Sequence, residues 1–180
     1  MRYLSTNIPG VLVLVPEPIP DSRGHFARVF SQSELAEYGC DFPVCQINRS
    51  YNRLKGTLRG LHFQKPPHAE DKLVQVIRGA ILDVALDLRP DSPTFGQHHA
   101  ELLTAENGRA LLIPKGCAHG FQTLLDDTEV LYLVSAYYEP SAEGGLPWNN
   151  PGLNINWPQQ PPAVISDKDN SWPDYPFPTL

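Results

Sequence analysis

The chain has 180 residues, of which 41% are hydrophobic and 19% charged, so we expect one domain, residues 1–180, with a core that needs no disulfides. The net charge of −6 argues against a general nucleic-acid-binding surface, although a local group of Arg and Lys can still bind an anion. No apolar run approaches the roughly 20 residues of a membrane helix, and Val11–Val15 is too short for a signal peptide. We therefore expect a cytoplasmic protein with reduced cysteines and no membrane partner.

Two strands and one helix are predicted in the N-terminal part. The run Val11–Val15 is rich in β-branched residues and is bounded by prolines, which indicates a strand. An extended proline segment leads to a turn at residues 21–24, and the alternation from Gly24 to Phe30 indicates a second strand. A capping box that begins at Ser31 predicts a short helix ending at Gly39.

Short strands separated by turn residues dominate from Cys45 onward, which predicts an all-β sandwich or barrel. The predicted strands are Leu73–Arg78, Ala80–Leu88, His98–Leu103, Ala110–Ile113 and Val130–Tyr138. From Pro147 to the C-terminus the chain is rich in proline, so we expect an irregular tail with one short helix near Ser166. Its tryptophans should fix the tail to the barrel; they are Trp148, Trp157 and Trp172.

Two glycine–histidine segments carry the strongest motif signal. In the first, Gly56 is followed by His62 and Gln64, and in the second, residues 108–119 have the form G-x5-P-x-G-x2-H and end at His119. The segments resemble the two motifs of the cupin superfamily. This resemblance implies a double-stranded β-helix, or jelly-roll, barrel with a few short helices.

The first motif lacks two positions that hold a metal in metal-binding cupins. Gln64 replaces the second histidine, and Lys72, seven residues before Gly79, occupies the place of the glutamate. A protonated ammonium cannot coordinate a divalent cation and repels it. We therefore expect neither a metal nor another cofactor, and His62 and His119 need a different role. A metal-dependent cupin enzyme is the alternative, and it predicts bound iron, manganese or zinc.

The remaining polar groups suit proton abstraction beside a carbonyl group. We expect His62 as the base, Lys72 and Arg59 as cations, and a tyrosine from the strand 130–138 as the acid. On that strand, Tyr132 and Tyr138 share one side and Tyr137 has the other. An ammonium stabilises the enolate that deprotonation leaves, and an acid on the opposite face inverts the carbon.

A carboxylate should orient the base, and two positions are candidates. Asp83 lies in an otherwise apolar strand, where an unpaired carboxylate is unusual, and Asp169 lies in the tail. The residues alone leave both open.

Longer stretches resemble the dTDP-4-dehydrorhamnose 3,5-epimerase family over most of the chain. The matching stretches are residues 21–26, 46–50, 56–64, 72–74, 79–89, 92–96, 113–121, 137–138 and 166–169. The resemblance implies a cofactor-independent epimerase that inverts C3, C5 or both in a nucleotide-linked 4-keto-6-deoxyhexose, with dTDP the expected nucleotide.

The resemblance also implies roles for individual residues. His62 is the base with Asp169 as its partner, Tyr132 is the acid, and Lys72 holds the C4 enolate. The implied substrate-binding residues are Arg23, Phe26, Gln46, Asn48, Arg59, His119, Tyr138, Glu143 and Lys168. A homodimer is implied, in which Arg23 and Phe26 reach the site of the neighbouring subunit.

Several positions depart from the common family pattern, and these are Phe63, Gln75, Cys117, Leu133 and Asn150. None removes an expected catalytic group, but they leave open the sugar, the nucleotide and the inverted centre. The alternatives are therefore a single-centre epimerase on another nucleotide sugar, or a sugar-nucleotide-binding cupin without catalysis.

Overall fold

A computed structural model describes residues 1–174 of the chain, and β-strands make up most of its regular structure. The strands are β1 (Arg2–Ser5), β2 (Leu12–Val15), β3 (Ile19–Asp21), β4 (Gly24–Phe26), β5 (Gln46–Asn52), β6 (Leu58–Gln64), β7 (Lys72–Arg78), β8 (Ala80–Asp87), β9 (His98–Thr104), β10 (Ala110–Ile113), β11 (Cys117–Thr123), β12 (Thr128–Val134) and β13 (Glu143–Gly145). The helices are α1 (Gln32–Glu37) and α2 (Asp167–Asn170), with 3₁₀ turns at Pro140–Ala142 and Pro151–Leu153. Within residues 1–174, no helix is long and apolar enough to cross a bilayer.

Two antiparallel sheets form the body of the fold. The larger has six strands in the order β1-β2-β10-β7-β12-β5, and the smaller has five in the order β13-β6-β11-β8-β9. Strands β3 and β4 form a separate hairpin. The six-stranded sheet ends at β5, which places the polar side chains of β5 next to those of β12.

The main core lies between the two sheets. Side chains from both sheets share one buried cluster, whose strand members include Val13, Val74, Val76, Ile81, Ala85, Leu103, Leu111, Ile113, Phe121 and Val130. Burial of these apolar side chains between two facing sheets is the dominant favourable term for such a sandwich. The predicted all-β jelly-roll class is confirmed.

Each sheet is covered on its outer side by a separate segment. Leu35 of α1 and Phe42 pack on the back of the six-stranded sheet, and the N-cap of α1 is Ser31, as the capping box predicts. The tail covers the back of the five-stranded sheet through residues that include Leu153 and the buried Trp157. The short helix expected near Ser166 is α2, with Ser166 as its N-cap. Residues 175–180 of the predicted tail lie outside the described residues.

Two predicted strands are shorter than expected. The alternating stretch from Gly24 is a strand only to Phe26, and β12 ends at Val134 rather than at Tyr138. The assignment of Tyr138 to the same strand face as Tyr132 was therefore wrong, because Tyr137 and Tyr138 follow the end of the strand. Both side chains are exposed.

Strands β5, β6 and β11 were not among the predicted strands. Along β5, the polar residues Gln46, Asn48 and Ser50 are partly buried, while Ile47 and Tyr51 point to solvent. This inverts the usual pattern of apolar residues inside and polar residues outside. A strand that lines a polar cavity therefore lacks the hydrophobic alternation by which strands are recognised in a sequence.

Candidate active site

Two adjoining cavities of about 200 and 180 Å³ open between the two sheets. Both are lined by His62 of β6, Lys72 of β7 and Tyr132 of β12, so these three side chains form a common wall. The first cavity is also lined by Asn48, Phe63, Gln64, Glu70, Val134, Tyr138 and Glu143. The second is also lined by Ser50, Arg59, His119 and Phe121.

The strand positions explain why these groups converge. In β12, Tyr132 has the same parity as the core residue Val130, and it pairs with Asn48 of β5. His62 and His119 are paired residues on β6 and β11 of the opposite sheet. His62 and Tyr132 therefore enter the cavity from opposite sheets.

Two glycines let β6 and β11 approach closely between the histidines. A Cβ atom on Gly60 would lie 2.5 Å from Cα of Gly120 and 2.7 Å from the carbonyl oxygen of His119. Gly60 also has a φ of +113°, which disfavours residues with a side chain. Glycine is required here so that the two histidines can lie side by side.

His62 is held by Asp169. The Nε2 atom of His62 lies 2.6 Å from Oδ1 of Asp169, and Oδ2 of that carboxylate accepts a hydrogen bond from the Gly60 amide at 3.2 Å. Burial opposes the charge of Asp169, but the contacts with His62, Gly60 and Ser166 outweigh it and lower the pKa of this carboxyl. An ionised Asp169 accepts a hydrogen bond from Nε2–H of His62, which leaves the lone pair of His62 on Nδ1.

A second histidine–aspartate pair lies beside the first. Nε2 of His119 lies 2.7 Å from Oδ1 of Asp83, whose side chain is fully buried. Asp83, the other candidate partner of the base, thus contacts His119 instead of His62. A buried carboxylate is stable only with a partner, and each of the two has one: Asp169 pairs with His62, and Asp83 pairs with His119.

Lys72 and Tyr132 complete the reactive group. Nζ of Lys72 lies 3.0 Å from Oε1 of Glu70, and both side chains are largely buried. Burial raises the pKa of the Tyr132 phenol; the Arg59 cation opposes this shift and the Glu70 anion adds to it. Tyr132 therefore carries its proton at neutral pH, as an acid must. No motif or spacing singled out Glu70 as a site residue.

Arg59 lines the second cavity and is anchored there by a hydrogen bond to Asn52. Its Nε donates a hydrogen bond to Oδ1 of Asn52 at 2.8 Å, and Asn52 is buried. Ser50 lines the same cavity and was not a predicted site residue. A guanidinium held in this way supplies a fixed positive charge to the cavity.

Tyr138 and Glu143 line the first cavity, and Lys168 lies next to Glu143. The Tyr138 hydroxyl donates to Glu143 at 2.8 Å, and Lys168 forms an ion pair with the same carboxylate. Trp172, expected only to fix the tail, packs edge-on against His62 with ring centroids 6.2 Å apart, and Nζ of Lys168 lies over its ring. The tail therefore contributes two contacts to His62, the ring of Trp172 and the carboxylate of Asp169.

Arg23 and Phe26 are not brought to this cavity by their own chain. Both lie on the β3–β4 hairpin, where the Arg23 side chain is 87% exposed and pairs with Asp21 at 2.6 Å. Phe26 is 66% exposed. Gln46 lies on the Asn48 side of β5 but does not line either cavity described above.

Gln64 and Lys72, the two altered metal-ligand positions, are both committed to other contacts. Gln64 donates to the carbonyl oxygens of His68 and Tyr137 and accepts from the amide of Glu139, so its side chain closes a loop. Among residues 1–174, no group of three His, Cys, Asp or Glu side chains is arranged to hold a metal ion. Independence from metals and cofactors stays a prediction, which the chemistry of these residues favours.

The cysteines lie outside the reactive group. All three are free thiols, and burial raises the pKa of Cys117 to about 12. A thiol held protonated in this way is a poor nucleophile.

Fold and site together define a jelly-roll protein whose interior places a histidine and a tyrosine on opposite sheets around one cavity. Residues 5–176 match the family model described as dTDP-4-dehydrorhamnose 3,5-epimerase. A relative of that name from Sinorhizobium fredii is 42% identical over 173 residues, covering 96% of this chain and 89% of the relative.

Solved structures agree with this match. The epimerase of that name from Bacillus anthracis, with TDP and PPi bound, is 44% identical, with a TM-score of 0.92 over 97% of this chain and 99% of the other. An epimerase from Legionella pneumophila in complex with dTDP-4-keto-L-rhamnose is 37% identical, with a TM-score of 0.87 over 93% and 89% of the two chains. The chain belongs to the dTDP-4-dehydrorhamnose 3,5-epimerase family, and the predicted class, a carbohydrate epimerase, is confirmed.

Proposed function

We propose that this single-domain protein inverts C3 and C5 of a dTDP-linked 4-keto-6-deoxyhexose, without a metal or cofactor. The observation that carries the proposal is the placement of His62 and Tyr132 on facing sheets around one cavity. The 4-keto group acidifies the hydrogens on both neighbouring carbons, so one base and one acid can serve each centre in turn.

The proposed step moves two protons and no other atoms. Nδ1 of His62 takes the proton from C3 or C5, and the electron pair of the broken C–H bond becomes an enolate on the C4 oxygen. The ammonium of Lys72 stabilises that oxygen. Tyr132 then donates its phenolic proton to the opposite face of the carbon, and the phenolate and imidazolium return to their resting states by exchange with solvent.

The nucleotide is expected toward the rim of the first cavity and beyond. Asn48, Tyr138 and Glu143 line this side, and Lys168 lies next to Glu143. Arg59 and His119 line the second cavity, where we place contacts with the sugar. Gln46 lies two residues before Asn48 on the same face of β5, where we also expect contact with the nucleotide.

We also propose a homodimer in which Arg23 and Phe26 complete the neighbouring subunit's site. The hairpin carries the exposed apolar side chains of Ile19 and Phe26, and β5 is an edge strand that exposes Ile47. Exposed apolar groups beside an unpaired strand edge are typical of an interface. The free thiols favour a cytoplasmic location, which stays a prediction.

The test of the reaction is deuterium incorporation from D₂O into dTDP-4-keto-6-deoxyglucose, followed by NMR. We expect deuterium at C3 and C5 together with inversion at both. Deuterium at one centre would indicate a single-centre epimerase, and binding without exchange would indicate a sugar-nucleotide-binding cupin. His62→Ala should abolish exchange; full activity of this variant would rule out the mechanism.

The dimer has a separate test by complementation. An equal mixture of His62→Ala and Arg23→Ala chains, refolded together, should regain about a quarter of wild-type sites if Arg23 acts across a two-fold interface. No gain over the separate variants would show that Arg23 does not act in the neighbouring site.

A further inference from the structure

Two neighbouring carboxylates, Glu70 and Asp71, precede β7 and have different surroundings. Asp71 is buried and fixes the loop: its Oδ1 accepts from the Lys115 amide at 2.9 Å, and its Oδ2 accepts from the Ser135 hydroxyl at 3.0 Å. Its own amide donates to the same hydroxyl at 2.8 Å. Asp71 therefore accounts for the anchoring of this loop, which leaves the role of Glu70 to be explained.

Glu70 faces the reactive cavity. Its side chain is 11% exposed, and its Oε1 lies 3.0 Å from Nζ of Lys72, whose side chain is 15% exposed. Both residues line the cavity that also contains His62 and Tyr132. A largely buried ion pair adds little net stability because desolvation offsets the attraction, so folding alone does not explain this pair.

A lysine in this position needs a partner that fixes its direction. Its ammonium ends a flexible four-carbon stem, and such a stem loses much conformational freedom when it is held in one place. Stabilisation of an oxyanion depends on donors that are already aimed before the charge develops. The carboxylate of Glu70, which lines the same cavity, holds the Lys72 ammonium in one direction.

We propose that Glu70 is a positioning residue, which aims the Lys72 ammonium at the C4 oxygen and places a negative charge beside Tyr132. This inference rests on the proposed epimerase function. The charged and titratable groups around this region from other elements are Arg59 and His62 of β6, His119 of β11, Tyr132 of β12, Tyr138 after β12, Glu143 of β13 and Asp169 of α2.

Two substitutions separate the hydrogen bond from the charge. In Glu70→Ala both are lost, and we expect kcat for epimerisation to fall about 10- to 100-fold with KM changed less than about 3-fold. In Glu70→Gln the amide oxygen still accepts from Nζ, so most of kcat should return at the optimum. Because the charge beside Tyr132 is gone, the alkaline limb of the kcat profile should move to lower pH.

Glu106→Gln is the matched control, since it removes one negative charge from an exposed position in the turn after β9. It should leave both kcat and the pH profile unchanged. A crystal structure of Glu70→Ala should show Nζ of Lys72 displaced from its wild-type position.

The inference fails if Glu70→Ala keeps wild-type kcat, or if the pH profile of Glu70→Gln matches that of Glu106→Gln. Equal losses in both Glu70 variants with a lowered melting temperature and an unmoved pH profile would show a structural role and would also overturn it. Should Glu70→Ala not fold, the pH profile of Glu70→Gln decides. A wild-type enzyme without any deuterium exchange would instead refute the proposed function.

Discussion

Asp169→Asn is the most direct test of how this site makes a base. The substitution keeps the size of the side chain but replaces an acceptor 2.6 Å from Nε2 of His62 with an amide that can donate. A donor at this place favours the tautomer with the proton on Nδ1, the ring nitrogen that Asp169 does not contact. The base then has no free lone pair where the substrate hydrogen lies.

The expected loss follows from that change of tautomer. A positioned general base contributes about 10²- to 10⁴-fold, and loss of the carboxylate that orients a catalytic histidine can cost about 10⁴-fold. We therefore expect kcat to fall by 10²- to 10⁴-fold, which corresponds to about 3–5 kcal/mol in the activation free energy. The amide oxygen can still accept from the Gly60 N–H, so the free energy of unfolding should change by less than about 2 kcal/mol.

The assay is the NMR exchange reaction, run beside urea unfolding. Asp167→Asn is the control, because it removes one charge from an exposed neighbour on the same helix, and it should behave as wild type. The reasoning would be refuted if Asp169→Asn kept kcat within about 5-fold of wild type while His62→Ala was inactive.

Three further predictions concern the acid, the strand contact and a buried carboxylate. Tyr132→Phe should retain deuterium exchange on the His62 face while inversion falls about 10²-fold or more, and equal losses of both by NMR would contradict the two-face mechanism. Gly60→Ala should lower the free energy of unfolding by about 2–5 kcal/mol in urea melts, clearly more than Gly24→Ala, which has a φ of +135° but no neighbour within 4 Å of its Cβ. Burial opposes ionisation of Asp87, but hydrogen bonds from Arg89, Ser92 and Thr94 lower its pKa from 3.8 to about 2. That shift contributes about 2 kcal/mol to the free energy of unfolding above pH 4. The difference in this free energy between wild type and Asp87→Asn should therefore narrow as pH falls from about 4 to 2. A difference that is constant with pH would contradict the prediction.

Local sequence patterns correctly predicted those helices and strands that depend on residues close together in the chain. The capping box at Ser31 located α1, and the apolar run Ala110–Ile113 matches β10 at both ends. Ser166 likewise began α2. These signals depend on hydrogen bonds and burial within a few residues, so they can be recognised without the rest of the chain.

The strands that line the cavity could not be found in the same way. In β5 the inward positions are polar and Ile47 and Tyr51 face outward, so the alternation has the opposite sense to that of a core strand. In β6 and β11 the residues that matter are glycines and histidines, which weaken any strand signal. The polar and glycine residues that line the cavity therefore replace the apolar alternation from which strands are usually predicted.

The all-β class and the chemical types of the site groups could be predicted from the residues and their spacing, and the resemblance to cupin motifs indicated that two metal-ligand positions are altered. The pairings between these groups depend on the folded chain. Asp169 lies 107 residues from His62 and Asp83 lies 36 from His119, and nothing local tells the two carboxylates apart. The choice was made by how the tail and the strands pack, since a buried carboxylate is stable only beside the donor that this packing brings to it.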